Sequence, residues 1–536
     1  MTAAPADLPA SAAPASRNAI CACGSGKRYK YCCGALTARS PESGAAASPP
    51  SAIPIGTTMN LALAAQKRGD LEPAAKLYRQ VLQVEPQNID ALHMLGVIHF
   101  TRGDLDEAER LIRYADGLCP APIPMIQHNL MMLREKIAAS DRPTEAVAAI
   151  HVDASDSPIS RVEEVCGAQE ITLPALVPYL EIGSTGVSGT SEQKALFPPI
   201  RTFMLEQAVV DAESAIPATA TCLVCDDHVD LSRHQSPEWR YGLYRRGAAG
   251  NGVLRTRCVD SFTHAELPAA IVLTSGYWIN WAHFLTEVLP KALIAERRAQ
   301  WRDWPMLISS SRLANAEELL RLLVAPDRRI VKAYGRMRIG EAGYVSSVGF
   351  CPLEYVYDAE TGFPDIRPAD CAFSPYALEM VRAAATRLAP PATNPASRYL
   401  YLRRNSKIRH FINQDEVERE FSARGFEIVA PENLSVMRQM ELFSQARVIA
   451  GPTGAALANL VFAPPGCRVL ILAAMTRHSA FHYWLNMAQA TGHRAQYVFG
   501  RAVGPSAHPA HPDLHFDDLP GLGRIIDAVI REERRS

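Results

Sequence analysis

Three clusters in the second half of the chain hold the residues best suited to chemistry. In Gly276-Tyr-Trp-Ile-Asn-Trp-Ala-His-Phe-Leu-Thr-Glu-Val-Leu-Pro290, His283 and Glu287 stand four apart and share one face of a helix. Partial burial would tune either of them toward neutral pH, as an acid–base group requires; the plain alternative is a satisfied core histidine beside a solvated glutamate. Arg403, Arg404, Lys407 and Arg409 follow the strand-like run Tyr399-Leu-Tyr-Leu402, as phosphate contacts or as a solvated basic loop. The third cluster, Arg447 to Gly466, reads as a strand through Val448-Ile449, a turn at Gly451-Pro-Thr-Gly454, and a helix over Ala455–Phe462. A helix beginning near Gly454 would aim free N–H groups and the positive end of its dipole at an anion above the turn. Gly454 and the alanines after it would let a phosphate approach the backbone closely.

These clusters need a scaffold, and the sequence implies one. Tyr399–Leu402, Phe426–Val429, Arg447–Ala450 and Arg468–Leu472 read as strands, with helices near Gln414–Arg424, Ser435–Gln445 and Ala455–Phe462 between them. The earlier half repeats the theme: strand Ala270–Leu273, helix Ala282–Arg298, strand Pro305–Ile308, helix Ala314–Leu323 and strand Arg329–Val331. Such alternation predicts parallel-sheet α/β units with a ligand cleft at the carboxyl ends of the strands.

Ahead of this region lie two smaller modules. Gly69-Asp-Leu71 recurs as Gly103-Asp-Leu105, Ala74 as Ala108 and Pro86 as Pro120, an offset of 34 residues that belongs to tetratricopeptide helix pairs. A capping helix is expected over Met125–Ile137, and the array is either a concave partner surface or a packing spacer. Nearer the start, Cys21, Cys23, Cys32 and Cys33 are spaced to close a tetrahedral zinc site in a segment too short to fold on apolar burial alone. This run resembles the SEC-C motif, which implies structural zinc and docking through Lys27, Arg28, Tyr29, Lys30 and Tyr31. Cys222 and Cys225 form a further Cys-x-x-Cys, but no second pair stands at a suitable spacing.

With 536 residues, three or more domains are expected. A net charge of -1 excludes bulk affinity for nucleic acid or anionic membranes, so any anion site must be local. The most apolar run, Ala269–Leu285, is interrupted by Thr274, Ser275, Asn280 and His283, so no membrane span is expected. The start lacks the basic and apolar pattern of a secretory leader, and a cytoplasmic location with free or metal-bound thiols is expected.

Taken in order, with Gln414-Asp-Glu416 between the second and third, the clusters resemble the family 61 glycosyltransferases over roughly residues 180 to 500. The resemblance implies a GT-B fold, a nucleotide-sugar donor such as a UDP-sugar, transfer with inversion, and no catalytic metal. Under it an acceptor hydroxyl needs a base, and either His283 or Glu287 is placed to serve; Glu287 is the slightly preferred base, with His283 as an orienting or phosphate-contacting group. Arg403, Arg404, Arg409, Thr453, Gly454, Ala455 and Asn459 become donor contacts, with Arg403 clamping the pyrophosphate across the turn. The sequence departs from the family at Thr453, where the family has His, and at Ala456, where it has Gly; Thr453 can still cap the helix or donate a hydroxyl, but carries no charge.

The organisation expected is therefore multidomain α/β, with a GT-B-like pair of Rossmann-like domains behind a tetratricopeptide α-helical array and a small zinc knuckle. The boundaries are a disordered 1–16, knuckle 17–36, linker 37–56, helical repeats 57–138, linker 139–160, first glycosyltransferase half 161–390, and donor-binding half 391–536 with its C-terminal helix. The function implied is sugar transfer to a protein or polysaccharide acceptor, the repeats and knuckle recruiting acceptor or partner in polysaccharide biosynthesis. The alternative is a catalytically inactive adaptor that keeps the fold.

Overall fold

The computed structural model describes residues 54–119, 123–140, 144–153, 158–176, 190–212, 214–226, 234–235, 244–246, 253–256, 266–310, 312–333, 335–350, 354–355, 367–390, 396–405, 409–474, 481–504 and 512–535. The cysteines Cys21, Cys23, Cys32 and Cys33, and Lys407, lie outside them. By contact density the chain forms two compact units, Met1–Ala91 and Leu92–Ser536.

In the first unit, helices α1 (Ile55–Lys67) and α2 (Leu71–Val84) pack through Ala62, Ala65, Ala74 and Tyr78. Gly69 turns between them at φ +86°, in the left-handed region that favours glycine. The Tyr78 hydroxyl donates to Gln66 Oε1 at 2.8 Å. The unit boundary falls inside α3 (Ile89–Arg102), which is followed by α4 (Leu105–Leu118) and α5 (Pro124–Ala138). In the second unit, α3 and α4 approach closely at Gly96, where a Cβ would lie 2.5 Å from Ile112 Cγ1. These five helices are the tetratricopeptide-like array that the period of 34 predicts. Among the described residues no helix is long and apolar enough to cross a membrane.

The rest of the second unit is mixed α/β. Segment 139–160, read as linker, contains strand β1 (Thr144–His151), which pairs in parallel with β4 (Cys222–Cys225). The flanking Asp, Ser and Pro residues hide a short apolar alternation there. The first large sheet contains β2 (Ile159–Cys166), β3 (Ile200–Asp211), β5 (Glu266–Val272), β6 (Met306–Ser309), β7 (Ile330–Ala333) and β8 (Arg336–Val345). Its order is β7-β6-β5-β8-β3-β2, parallel as far as β8 and antiparallel beyond. One face, with Ile271, Leu273 and Ile308, is covered by helices that include α6 (Leu289–Glu296), α7 (Ala314–Leu323) and α8 (Pro375–Leu388). The other face, with Leu205, Val272 and Ile339, is covered by Val152 and Val224 from the β1/β4 region. A sheet with helices on one face and strands on the other departs from the Rossmann-like layering expected of this half.

The second large sheet is built from β9 (Arg398–Leu402), β10 (Glu427–Val429), β11 (Ala446–Pro452), β12 (Arg468–Ala474), β13 (Arg494–Val503) and β14 (Asp513–His515). It has the order β10-β9-β11-β12-β13-β14, with only β14 antiparallel. Helices cover both faces: α9 (Gln414–Ser422) and α12 (Leu519–Glu533) pack on Tyr401, Val448 and Leu470, while α10 (Val436–Phe443) and α11 (His482–Ala490) lie on the side of Leu400, Leu402 and Ile471. From β9 the chain goes through α9 to β10 on one side and then crosses to β11 on the other. The strand order therefore reverses between β9 and β11, which is where open α/β sheets bind their ligands. The strands meet closely there, a Cβ on Gly451 falling 2.8 Å from Leu402 Cβ.

Candidate functional site

Both edges of this switch point carry sequence-selected residues, and pleating decides which of them meet. Successive side chains on β9 point to opposite faces. Tyr401 faces α9, so Arg403 continues toward that helix and pairs with Glu418 at 2.6 Å and Asp415 at 3.1 Å. Leu402 faces the opposite side, and Arg404 follows it to the turn after β11, where Nη1 donates to the Thr453 carbonyl at 2.5 Å. The residue that spans the turn is thus Arg404 and not Arg403. Gln414 holds it, Oε1 accepting the Arg404 backbone N–H at 3.2 Å. Gly454 makes room for it, since a Cβ there would sit 2.8 Å from Nη1. The glycine thus accommodates the Arg404 guanidinium at the turn.

Arg404 is not the only cation at this point. Burial lowers its pKa to about 10; the positive charge of Arg409 adds to that, and Glu432 opposes it. Burial also depresses Arg409, whose backbone sits in the left-handed region at φ +58° and whose buried Nε has no hydrogen-bond partner among the described residues. Two desolvated, mutually repelling guanidiniums each cost free energy, and an anion between or above them would relieve both costs.

The segment after the turn differs from expectation. Ala455–Phe462 is a 3-10 helix whose N-cap is Gly454, so no side chain caps it and Thr453 does not act as the cap. Leu457, Ala458, Leu460 and Val461 are fully buried, so tertiary packing and the following Pro464-Pro465 override the helix-forming composition. Ala455 is partly buried at the start of this helix. Asn459 is fully buried, and neither of its polar atoms is free for a donor: Oδ1 accepts from Trp281 Nε1 at 2.9 Å, and Nδ2 donates to Gln439 Oε1 at 2.9 Å. Its role is to tie the helix after the turn to the segment that carries His283.

That segment is irregular. After a 3-10 turn at Gly276–Ile279, the chain runs as α-helix over Trp281–His283 and then as a π-helix over Phe284–Val288 before α6. Pro290 explains the widening, because a proline in an α-helix clashes with the carbonyl four residues back, here Thr286. Widened turns of this kind recur at functional sites. His283 Nδ1 and Glu287 Oε1 are 2.6 Å apart, with both side chains buried. The imidazole stacks on Tyr277 with ring centres 4.3 Å apart and planes 9° from parallel, and the Tyr483 ring lies 5.7 Å away at a tilt of 54°. With Nδ1 engaged by the carboxylate, Nε2 is the ring nitrogen left for proton transfer. Tyr277 was visible in the quoted segment but carried no distinguishing signal, and Tyr483, some 200 residues on, had none.

Replacing Asn459 with Ala should lower the unfolding temperature measurably in a thermal melt. It strands the Trp281 donor and the Gln439 acceptor in the core, at about 1–3 kcal/mol for each buried group left unpaired.

Residues 281–470 match the family model Glycosyltransferase 61. Residues 65–114 match Tetratricopeptide repeat and residues 17–35 match SEC-C motif. No curated protein gives a significant match to this chain. The chain thus joins a family 61 glycosyltransferase region, spanning both the His283–Glu287 pair and the Arg404–Thr453 turn, to a tetratricopeptide repeat and a SEC-C motif. The region supports glycosyl transfer in general. Among the described residues no group of three or more His, Cys, Asp or Glu side chains is placed to hold a metal ion.

Proposed function

We propose that the protein moves a sugar from a nucleoside diphosphate sugar, UDP-linked in our reading, to a hydroxyl on a protein or glycan acceptor. The observation that carries this is the partly buried Arg404–Arg409 pair at the strand-order reversal, where burial depresses both guanidiniums. The two α/β sheets are read as a GT-B-like arrangement. Arg404 and Arg409 would hold the diphosphate and supply the positive charge that a divalent cation gives in other transferases. Thr453, Gly454 and Ala455 would line the same group, and Arg403 would act only at its edge.

His283 would serve as base through Nε2, with Glu287 fixing its tautomer and balancing the imidazolium; the 2.6 Å contact favours this assignment over Glu287 as base. As the acceptor oxygen forms its bond to the anomeric carbon, its proton passes to Nε2. The bond from that carbon to the diphosphate oxygen breaks on the opposite face, and its electron pair leaves with the diphosphate, which inverts the centre. The helical repeats would recruit an acceptor or partner protein in polysaccharide biosynthesis in the cytoplasm. Cys21, Cys23, Cys32 and Cys33 would hold a structural zinc ion.

Calorimetry of the full-length protein with uridine, guanosine and cytidine diphosphates tests the reading. Binding of at least one, strongest for UDP, is expected; failure to bind any of them overturns it. A second reading, a binding-only adaptor, is favoured by Thr453, which cannot supply the charge of the family's histidine. It predicts UDP binding without turnover of any UDP-sugar.

A further inference from the structure

Beside the dyad the second unit contains a cavity that the donor site does not use. It lies at the carboxyl ends of β5 and β8, between the first large sheet and the β1/β4 region, and Glu287 and Tyr277 form part of its wall. Its body is lined by Val152, Phe203, Val224, Val272, Tyr344 and Val345. Phe203 and Tyr344 stack with ring centres 5.6 Å apart. The cavity measures about 100 Å³, somewhat below the 150 Å³ apolar cavity that accepts benzene in an engineered protein.

Several of the polar groups around it already hold hydrogen bonds. Thr274 Oγ1 donates to the Ser214 carbonyl at 2.7 Å, Ser275 Oγ accepts from the Tyr277 N–H at 3.1 Å, and Ser346 Oγ accepts from the Arg201 N–H at 2.9 Å. Asp226 Oδ2 accepts from the Ser347 N–H at 2.7 Å. Burial pushes the Cys225 thiol up to about 11 and raises the Tyr344 phenol too, so both are neutral in the physiological range. Against this mostly apolar lining a polyhydroxylated ligand would give up more hydrogen bonds to water than it regains, whereas an apolar group is favoured by its burial. The charges at the rim are Glu287, Lys291 and Asp226, and Glu287 is hydrogen-bonded to His283.

We infer that this cavity is an acceptor pocket for a hydroxyl borne on a small aryl or branched alkyl group, with the apolar body between the sheets and the hydroxyl directed to the His283–Glu287 dyad. The inference rests on the glycosyl-transfer reading and narrows its acceptor. A long, fully hydroxylated glycan chain would have to bind elsewhere.

The probe is 2-phenylethanol, followed by saturation-transfer NMR on the full-length protein, with glycerol as a polyol control and UDP binding measured in parallel. Wild type should show transfer to the aromatic protons and none to glycerol. Ala215→Phe, which fills the cavity from its loop edge, and Val272→Phe, which fills it from the sheet, should each cut the signal at least fivefold. Both should keep their UDP affinity within twofold. A variant that loses both ligands has misfolded, and the other then decides. Equal signals in wild type and a filled variant that still binds UDP overturn the inference, as does a glycerol signal matching that of 2-phenylethanol or the absence of any signal from wild type that binds UDP. Failure of wild type to bind UDP counts instead against the glycosyl-transfer reading, while the NMR result still judges the pocket.

Discussion

Replacing Arg404 with Ala is expected to weaken binding of uridine diphosphate by about 10- to 150-fold, the effect of losing a charge-assisted contact worth about 1.5–3 kcal/mol. The size follows from its position. Arg404 is held by Gln414 through its backbone N–H, meets the Thr453 carbonyl with its guanidinium, and is partly buried beside a second cation, so a diphosphate there gains an interaction that water screens less than at an exposed site. Arg403→Ala is the matched control: its guanidinium is more than a third exposed and already shared by Asp415 and Glu418, so affinity should change less than about threefold, the range of an exposed pair. Calorimetric titration of the two variants distinguishes them. Equal losses, or an unchanged affinity in Arg404→Ala, would remove Arg404 from the site.

The second large effect is expected at His283. Changing it to Ala should lower kcat by about 10²–10⁴-fold, the usual contribution of a positioned base, while UDP affinity stays near that of wild type. Glu287→Gln should cost less, because an amide oxygen can still accept from Nδ1 although it no longer balances the imidazolium. Release of UDP from the preferred UDP-sugar, measured with and without acceptor, provides the readout. If Glu287→Gln proves the more damaging, then Glu287 is the base and His283 orients it. The stack on Tyr277 and the approach of Tyr483 argue for a fixed imidazole plane, which is what a base acting through one nitrogen requires.

The sites in this chain were easier to read than the segments that carry them. Within the second sheet, the strands at 398–402, 446–452 and 468–474 stood out as β-branched and aromatic runs, because a strand buried on both faces has no reason to alternate. In the first half, β3 and β8 were not recognised. Glu206 and Gln207 interrupt β3, and Arg338 and Glu341 interrupt β8, while the two pair antiparallel along most of their lengths, from Arg336–Asp211 to Val345–Thr202. Such strands owe their place to long-range pairing, which local composition does not encode. The same limit explains Ala455–Phe462: its residues favour α-helix, yet burial on nearly every side selects a 3-10 helix.

The sequence by itself determined that an arginine-rich strand end, a glycine turn and a His/Glu pair exist, and that repeats and clustered cysteines precede them. Those are properties of residue type and spacing, fixed by local geometry. Only the tertiary structure decided which arginine faces the turn, because one step along β9 reverses the side chain, and what surrounds that position comes from other elements. It likewise made Asn459 a buried tie to Trp281 in place of a donor contact, and set His283 against Glu287 on a widened turn. Those outcomes depend on partners 4 to 178 residues apart in the chain, brought together by a shared core.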